Sequence, residues 1–352
     1  AMSGEIMART TDATIRQLRQ SPIFGRPAKT IFLGGGTPTY LPIDCLVRLI
    51  EAIQAAHPPI DGAEITCEAN PGTVDWPKFR AMHQAGVNRL SLGAQSFSKE
   101  DLVRLGRVHR AGEVGRAVAE ARRAGFDNLN LDLMFALPGQ SARAWEANLR
   151  TALALEPDHL SPYCLIIEQN TRFFKLHQRG MLDLPDDETQ VAMFDRTRDI
   201  CADAGLEAYE ISNFAKPGRS CSHNLCYWRG EEYAAYGPGA VGRIEQTRFT
   251  HLKHPERFCE AVEAGADTRF DVETLDERTM RDERVMLGLR LSEGVEEPPD
   301  GWDPVGLQTL LGRGWVTVEG PERRLRLTTQ GRHYCSDAAI ELMRGPELGP
   351  QA

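Results

Sequence analysis

The sequence predicts an α/β fold on parallel strands, followed by a small winged-helix-like module. Two observations carry this. Short β-rich runs at 30–33, 64–68, 89–93, 129–135, 159–166 and 207–212 alternate with helix-like segments. Repeated strand–helix alternation builds parallel sheets with crossover helices. Beyond residue 277 the pattern changes: two helical stretches precede "GWVTVEG" and "RLRLTTQG", two short strands around a charged turn. The alternation fits a β/α barrel or an open doubly wound sheet.

The helices have local reasons. Leu46, Leu49, Ile50 and Ile53 recur at helical spacing within 43–56. Segments 75–85, 111–124, 142–155 and 186–204 read similarly. Pro42 marks a start, and Gly86, Gly125 and Gly205 mark stops. In the final module, helices are expected near 282–291 and 304–311, with the Pro-rich "EGVEEPPDGWDP" as a loop. The expected organisation is a barrel over 1–215, a connecting segment over 216–276, the module over 277–345 and a tail over 346–352.

Composition narrows the function. The net charge of −9 with no basic run argues against nucleic acid as a partner. No apolar stretch is long enough to span a bilayer, so the protein is not expected to be integral to a membrane. The opening "AMSGEIMART" lacks a signal-peptide core, and a cytoplasmic location is expected. The eight scattered cysteines then read as reduced thiols. Cys221, His223 and Cys226 make a C-x-H-x2-C pattern, but a fourth metal ligand is missing nearby.

In β/α barrels, ligands sit at the C-terminal ends of the strands. Here those ends carry Gly34-Gly35-Gly36-Thr37-Pro38, Glu68 with Asn70-Pro71-Gly72, Gln95, and Asp132 with Pro138-Gly139-Gln140. Glu168, Glu210, Ser212 and Asn213 are expected at the last two. Glycines let backbone approach a ligand, while carboxylates and amides can hold an ammonium, hydroxyls or an adenine edge. Singly, each is ordinary loop punctuation or a solvated side chain. Their concentration on one rim points to a ligand. No Lys-Ser or Lys-Thr follows the glycines, so a phosphate loop is disfavoured.

"IFLGGGTPTYL", "ITCEANPGT", "RLSLGAQSF", "LGRVHRAGE", "NLNLDLMFALPGQ" and "YEISNFAKPGRSCSHNLCYWRGEEYAAYGPGA" carry a resemblance. They resemble the oxygen-independent coproporphyrinogen III oxidase-like family of radical SAM proteins, and within it the HemW-type haem chaperones. The resemblance spans nearly the whole chain, including "ERVMLGLRLSEGV". It implies a partial (β/α)6 barrel with S-adenosylmethionine across the strand ends. It assigns Gly35, Gly36 and Thr37 to the methionine end of that cofactor, with Glu68, Gln95, Arg107 and Asp132 completing the site. An HNxxY motif, here His223 to Tyr227, implies haem binding, and imidazole and phenolate are both haem ligand types. Without the resemblance, His223 and Asn224 read as hydrogen-bonding residues of a loop.

The resemblance implies haem and haem-accepting proteins as partners. The alternative within the family is the radical decarboxylation of coproporphyrinogen III, and a third reading is a barrel with another substrate. The family's [4Fe–4S] cluster is held by a CxxxCxxC loop ahead of the glycine motif. The 33 residues before Gly34 contain no cysteine, and none of the eight has that spacing. Two explanations stay open: a start inside the barrel, or a cluster-free form. Either implies no radical chemistry from the residues present. A barrel lacking its first strand would also leave 30–33 as an edge, where a dimer is expected unless another segment covers it.

Overall fold

A computed structural model describes residues 3–107 and 110–343. The expected tail and the last two residues of the expected module lie outside the described residues. By contacts the chain divides into two units. The first comprises 1–11, 21–208 and 212–221; the second comprises 12–20, 209–211 and 222–352.

Helix α1 (Gly4–Arg19) leads into the first unit's alternation: β1 (Ala28–Leu33), α2 (Ile43–Ala56), β2 (Pro59–Ala69), α3 (Trp76–Gln84) and β3 (Arg89–Gln95). There follow α4 (Lys99–Arg104), α5 (Ala111–Ala124), β4 (Leu129–Phe135), α6 (Ala142–Leu153) and β5 (His159–Cys164). The unit closes with α7 (Arg172–Gln178), α8 (Asp187–Asp203) and a hairpin of β6 (Glu207–Ala208) and β7 (Phe214–Ala215). β1 to β5 pair in parallel in sequential order. Sequential order is barrel winding; a doubly wound sheet reverses at a switch point. The fold is therefore a partial β/α barrel.

The last strand differs from expectation. β6 ends at Ala208 and pairs antiparallel with β7, which itself lies antiparallel against β5. Tyr209 to Ile211 leave the sheet and belong to the second unit. There the buried Glu210 meets Arg290 at 3.3 Å. The backbone turns away as well: Tyr209 O accepts from Ser292 N at 2.9 Å.

Alternation within the strands sorts the two faces. Ile65, Cys67, Leu90, Leu92, Leu129, Leu131 and Leu133 join one core with Leu46, Ile50, Phe79, Met82 and Trp145 from the helices. Each such aliphatic side chain contributes about 1.5–3 kcal/mol on burial. Local signals set the helix ends: Asp75 caps Lys78 N at 3.0 Å, Asp186 caps Thr189 N at 2.8 Å, and Gly125 stops α5 at φ 109°.

The second unit contains α9 (Ser222–Trp228), a sheet ordered β10-β9-β8 from β8 (Val241–Ile244), β9 (Thr247–His251) and β10 (Arg269–Thr274), and α10 (Pro255–Glu263). It continues with α11 (Glu277–Gly288), α12 (Pro304–Gly312), the hairpin β11 (Val316–Glu319) and β12 (Arg324–Leu327), and α13 (Cys335–Met343). Val285, Leu289, Leu310, Leu325 and Leu342 share its core. Among the described residues no helix is long and apolar enough to cross a membrane.

Candidate functional site

The three glycines after β1 are bare for different reasons. A Cβ on Gly34 would overlap the Phe32 ring and stand 3.0 Å from the Glu68 carboxyl. Gly35 sits at φ 102°, a left-handed backbone that a side chain strains. Nothing lies within 4 Å of a Cβ placed on Gly35 or Gly36, so this backbone faces open space. Gly35 N donates to Glu68 Oε2 at 3.2 Å, tying the glycine loop to the end of β2. Thr37 also has positive φ, 104°. For a β-branched residue that is strain, which collects at functional loops.

A residue missed from the sequence fixes this loop to its neighbour. Lys78 Nζ donates to the carbonyls of Thr39 at 2.7 Å, Leu41 at 3.2 Å and Thr73 at 3.3 Å. Thr39 and Thr73 hydroxyls meet at 2.7 Å, and Asn70 N donates to Thr39 Oγ1 at 3.3 Å. Burial lowers the Lys78 pKa, while the charges of Asp75 and Cys67 oppose this.

β3 ends at Gln95, held at φ 64°. Beyond it the buried Asp101 accepts from Ser96 Oγ at 3.0 Å, Gln140 Nε2 at 3.2 Å and Arg104 Nη1 at 3.3 Å. These bonds join the ends of β3 and β4. Arg107 is exposed past α4, and its side chain makes no hydrogen bond or ion pair among the described residues. The geometry thus groups Gly35, Gly36, Thr37 and Glu68, and sets Gln95 and Asp132 on the adjoining strands. Glu168 is exposed beyond β5, in a turn whose carbonyl takes Thr171 Oγ1 at 2.6 Å.

Asp132 rests on a polar layer inside the barrel. It accepts from Ser91 Oγ at 3.1 Å and Asn130 Nδ2 at 2.8 Å. Asn130 Oδ1 then faces His159 Nδ1 at 2.7 Å and Ser161 Oγ at 3.1 Å. Because the Asn130 amide donates to a carboxylate, its oxygen must accept, so His159 carries its proton on Nδ1. Burial, and then the charge of Arg89, push His159 well below its usual pKa, so it is neutral. Asp132 is raised by burial, against the hydrogen bonds of Asn130 and Ser91.

Burial also raises the Glu68 carboxyl, and the Asp132 charge adds to the effect, offset in part by Gly35 N–H. A raised folded pKa means the native state binds more protons than the unfolded chain between the two values. Stability from this group therefore falls as pH rises through that window. Glu68→Gln keeps an acceptor for Gly35 and removes the charge. The expected result is a melting temperature at pH 7 above that of wild type. The gap should close as pH falls toward the unfolded value near 4.5. Equal melting curves at pH 7 would contradict the assigned cost.

In the second unit, the HNxxY motif is a helix rather than a loop. α9 places His223 and Tyr227 one turn apart, with His223 Nε2 and Tyr227 Oη at 3.0 Å and their rings edge to face at 4.9 Å. Tyr233 packs edge-on against Tyr227 at 4.7 Å. The i, i+4 spacing of His223 and Tyr227 was the signal for a shared helical face. Cys221 is buried instead, its thiol donating to Glu64 Oε1 at 3.4 Å in the first unit. Among the described residues no three His, Cys, Asp or Glu side chains stand where they could hold a metal ion.

A partial barrel with a glycine-and-carboxylate rim defines a radical SAM-type protein. Residues 2–152, which include Gly35, Gly36, Thr37, Glu68, Gln95 and Asp132, match the Radical SAM superfamily. The structure of "Coproporphyrinogen III oxidase (HemN) from Escherichia coli is a Radical SAM enzyme" superposes with a TM-score of 0.82, at 21% identity, over 97% of this chain and 84% of that one. At that identity the likeness is one of fold. "Heme chaperone HemW" of Bacillus subtilis (strain 168) is 37% identical over 344 residues, 93% of this chain and 90% of its own length. The protein of the same name from Escherichia coli (strain K12) is 43% identical, over 72% of this chain and 66% of its own length. That of Mycobacterium tuberculosis (strain ATCC 25618 / H37Rv) is 34% identical over 90% and 80%. The chain belongs to the HemW family of radical SAM-fold proteins.

Proposed function

We propose that this chain is a haem chaperone, binding haem at α9 and passing it to haem-accepting proteins. Membership of the HemW family supports the reading, and the observation that carries it is the His223–Tyr227 pair on one helical turn. A helix turn offers an imidazole and a phenol side by side, each able to ligate iron. The aromatic Tyr227–Tyr233 contact beside them offers apolar surface to a macrocycle. The oxidase alternative has only likeness of fold behind it.

The rim supports S-adenosylmethionine as a second ligand. Its methionine end would lie against the open backbone of Gly35 and Gly36, beside Thr37, with Glu68 taking the ammonium. Gln95 and Asp132 would meet the remainder. Arg107 belongs to this set by family resemblance. In the family a cluster anchors one end of this cofactor, so the chain alone is expected to bind it weakly. A reducing cytoplasm suits the free thiols.

Haem titration tests the main reading. Wild type is expected to give a Soret band of bound haem, and His223→Ala to shift that band and weaken binding about tenfold, the loss of ~1.4 kcal/mol. Tyr227→Phe separates the roles, because it keeps the ring and removes the oxygen. Identical spectra from all three proteins would remove haem ligation from α9.

A further inference from the structure

A cleft of about 1430 Å³ opens wholly within the second unit. It is larger than the roughly 300–1,000 Å³ of ordinary small-molecule pockets, so it admits a broad ligand together with water. α11 lines it with Arg278, Arg281, Val285 and Gly288, positions that share one helical face, and with Arg284 beside them. Trp228, the last residue of α9, lines it too. Met280, Leu291 and Val295 add apolar surface.

The charges in the cleft do not cancel one for one. Glu293 takes Arg229 at 3.0 Å, and Asp300 takes Arg281 at 3.0 Å. Glu296 pairs with Arg324, and Glu297 takes Arg323 at 2.7 Å. Asp303 caps α12 through Gly306 N at 2.6 Å. Five arginines and six carboxylates line the cleft, and after these pairings Glu277, Arg278 and Arg284 remain without a close partner across it. Arg278 reaches only Asp282, at 3.9 Å along its own helix. Arg284 is exposed and makes no ion pair among the described residues. A guanidinium fork matches a carboxylate in two parallel hydrogen bonds.

Trp228 adds a second sign. Its indole N–H is buried with no partner among the described residues, and Arg290 stacks 4.6 Å over its ring. A buried donor left without an acceptor calls for explanation, and a ligand or its bridging water supplies one.

Resting on the haem reading above, we infer that this cleft receives the carboxylate-bearing edge of the tetrapyrrole, with Arg278 and Arg284 on its two propionates. The apolar lining takes the macrocycle edge, and Trp228 joins the cleft to the helix that carries His223 and Tyr227. The cleft thus selects a porphyrin with free carboxylates, while α9 sets the iron ligation.

The test compares iron protoporphyrin IX with its dimethyl ester, whose propionates carry no charge. Wild type is expected to bind the free acid about tenfold more tightly, a difference of ~1.4 kcal/mol. Arg278→Glu with Arg284→Glu should lose that advantage for the acid, leave ester binding unchanged and keep the Soret position. Equal affinity of wild type for acid and ester would overturn the inference without any variant. So would a folded double variant that binds the acid like wild type; in both cases the haem reading survives. Failure of wild type to bind either porphyrin would defeat the haem reading, and this inference with it.

Discussion

Replacing Glu64 with alanine is expected to destabilise the barrel unit by about 3–5 kcal/mol, the cost of leaving a buried charge without its partner. Arg89 is 2% exposed, and its nearest ionic partner is Glu64 at 3.9 Å. Its Nε has no hydrogen bond among the described residues, so the carboxylate charge is its main compensation. The same guanidinium opposes the burial that raises Asp132 and adds to the burial that lowers His159, so the pair also shapes the electrostatics beneath the rim. Urea unfolding followed by the buried Trp145 reads the change in this unit. Glu64→Leu combined with Arg89→Met should restore most of the loss, since well-packed apolar groups replace a buried pair at little cost. A single Glu64→Ala change below ~1 kcal/mol would show that Arg89 is solvated or paired by other means.

That pair leaves a mark in the sequence. Parallel strands covered on both faces by helices read as continuous apolar runs. Here β2 alternates Glu64-x-Thr66-x-Glu68, β3 Arg89-x-Ser91, β4 Asn130-x-Asp132 and β5 His159-x-Ser161. Such alternation says that one face turns away from the helices. The strand ends carry Glu68, Gln95 and Asp132, and the layer that holds Asp132 in place lies earlier on the same strand faces. Lys78 was hidden for another reason. Its partners are carbonyls from two loops, and backbone acceptors leave no mark on residue identity. The barrel strands and main helices followed from apolar spacing and Pro/Gly punctuation. The hairpin of β6 with β7, and α9, did not, because two strand residues or seven helical ones are too short for periodicity to speak. Arg107 entered by motif alone, and its side chain is exposed beyond α4.

Gly34→Val is expected to abolish S-adenosylmethionine binding at millimolar ligand while leaving the unit folded. A Cβ there overlaps the Phe32 ring and lies 3.0 Å from both Cδ and Oε1 of Glu68. Phe32 is only half-buried and Glu68 ends in a flexible carboxyl, so both can yield. Their yielding moves the one carboxylate that faces the glycine backbone. Losing a charged acceptor for the cofactor's ammonium costs about 1.5–3 kcal/mol, enough to push a weak affinity out of detection. The neighbouring glycines separate the causes. Gly35→Ala forces a side chain to φ 102° and should cost about 1–2 kcal/mol of stability as well. Gly36→Ala meets no protein atom within 4 Å, so stability should hold within ~0.5 kcal/mol while its methyl intrudes on the ligand. Ligand-observed NMR at matched protein concentration ranks the three, with thermal melts run alongside. If Gly36→Ala binds like wild type, the open space beside the glycines belongs to solvent, and the rim must hold its ligand through Glu68, Gln95 and Asp132 alone.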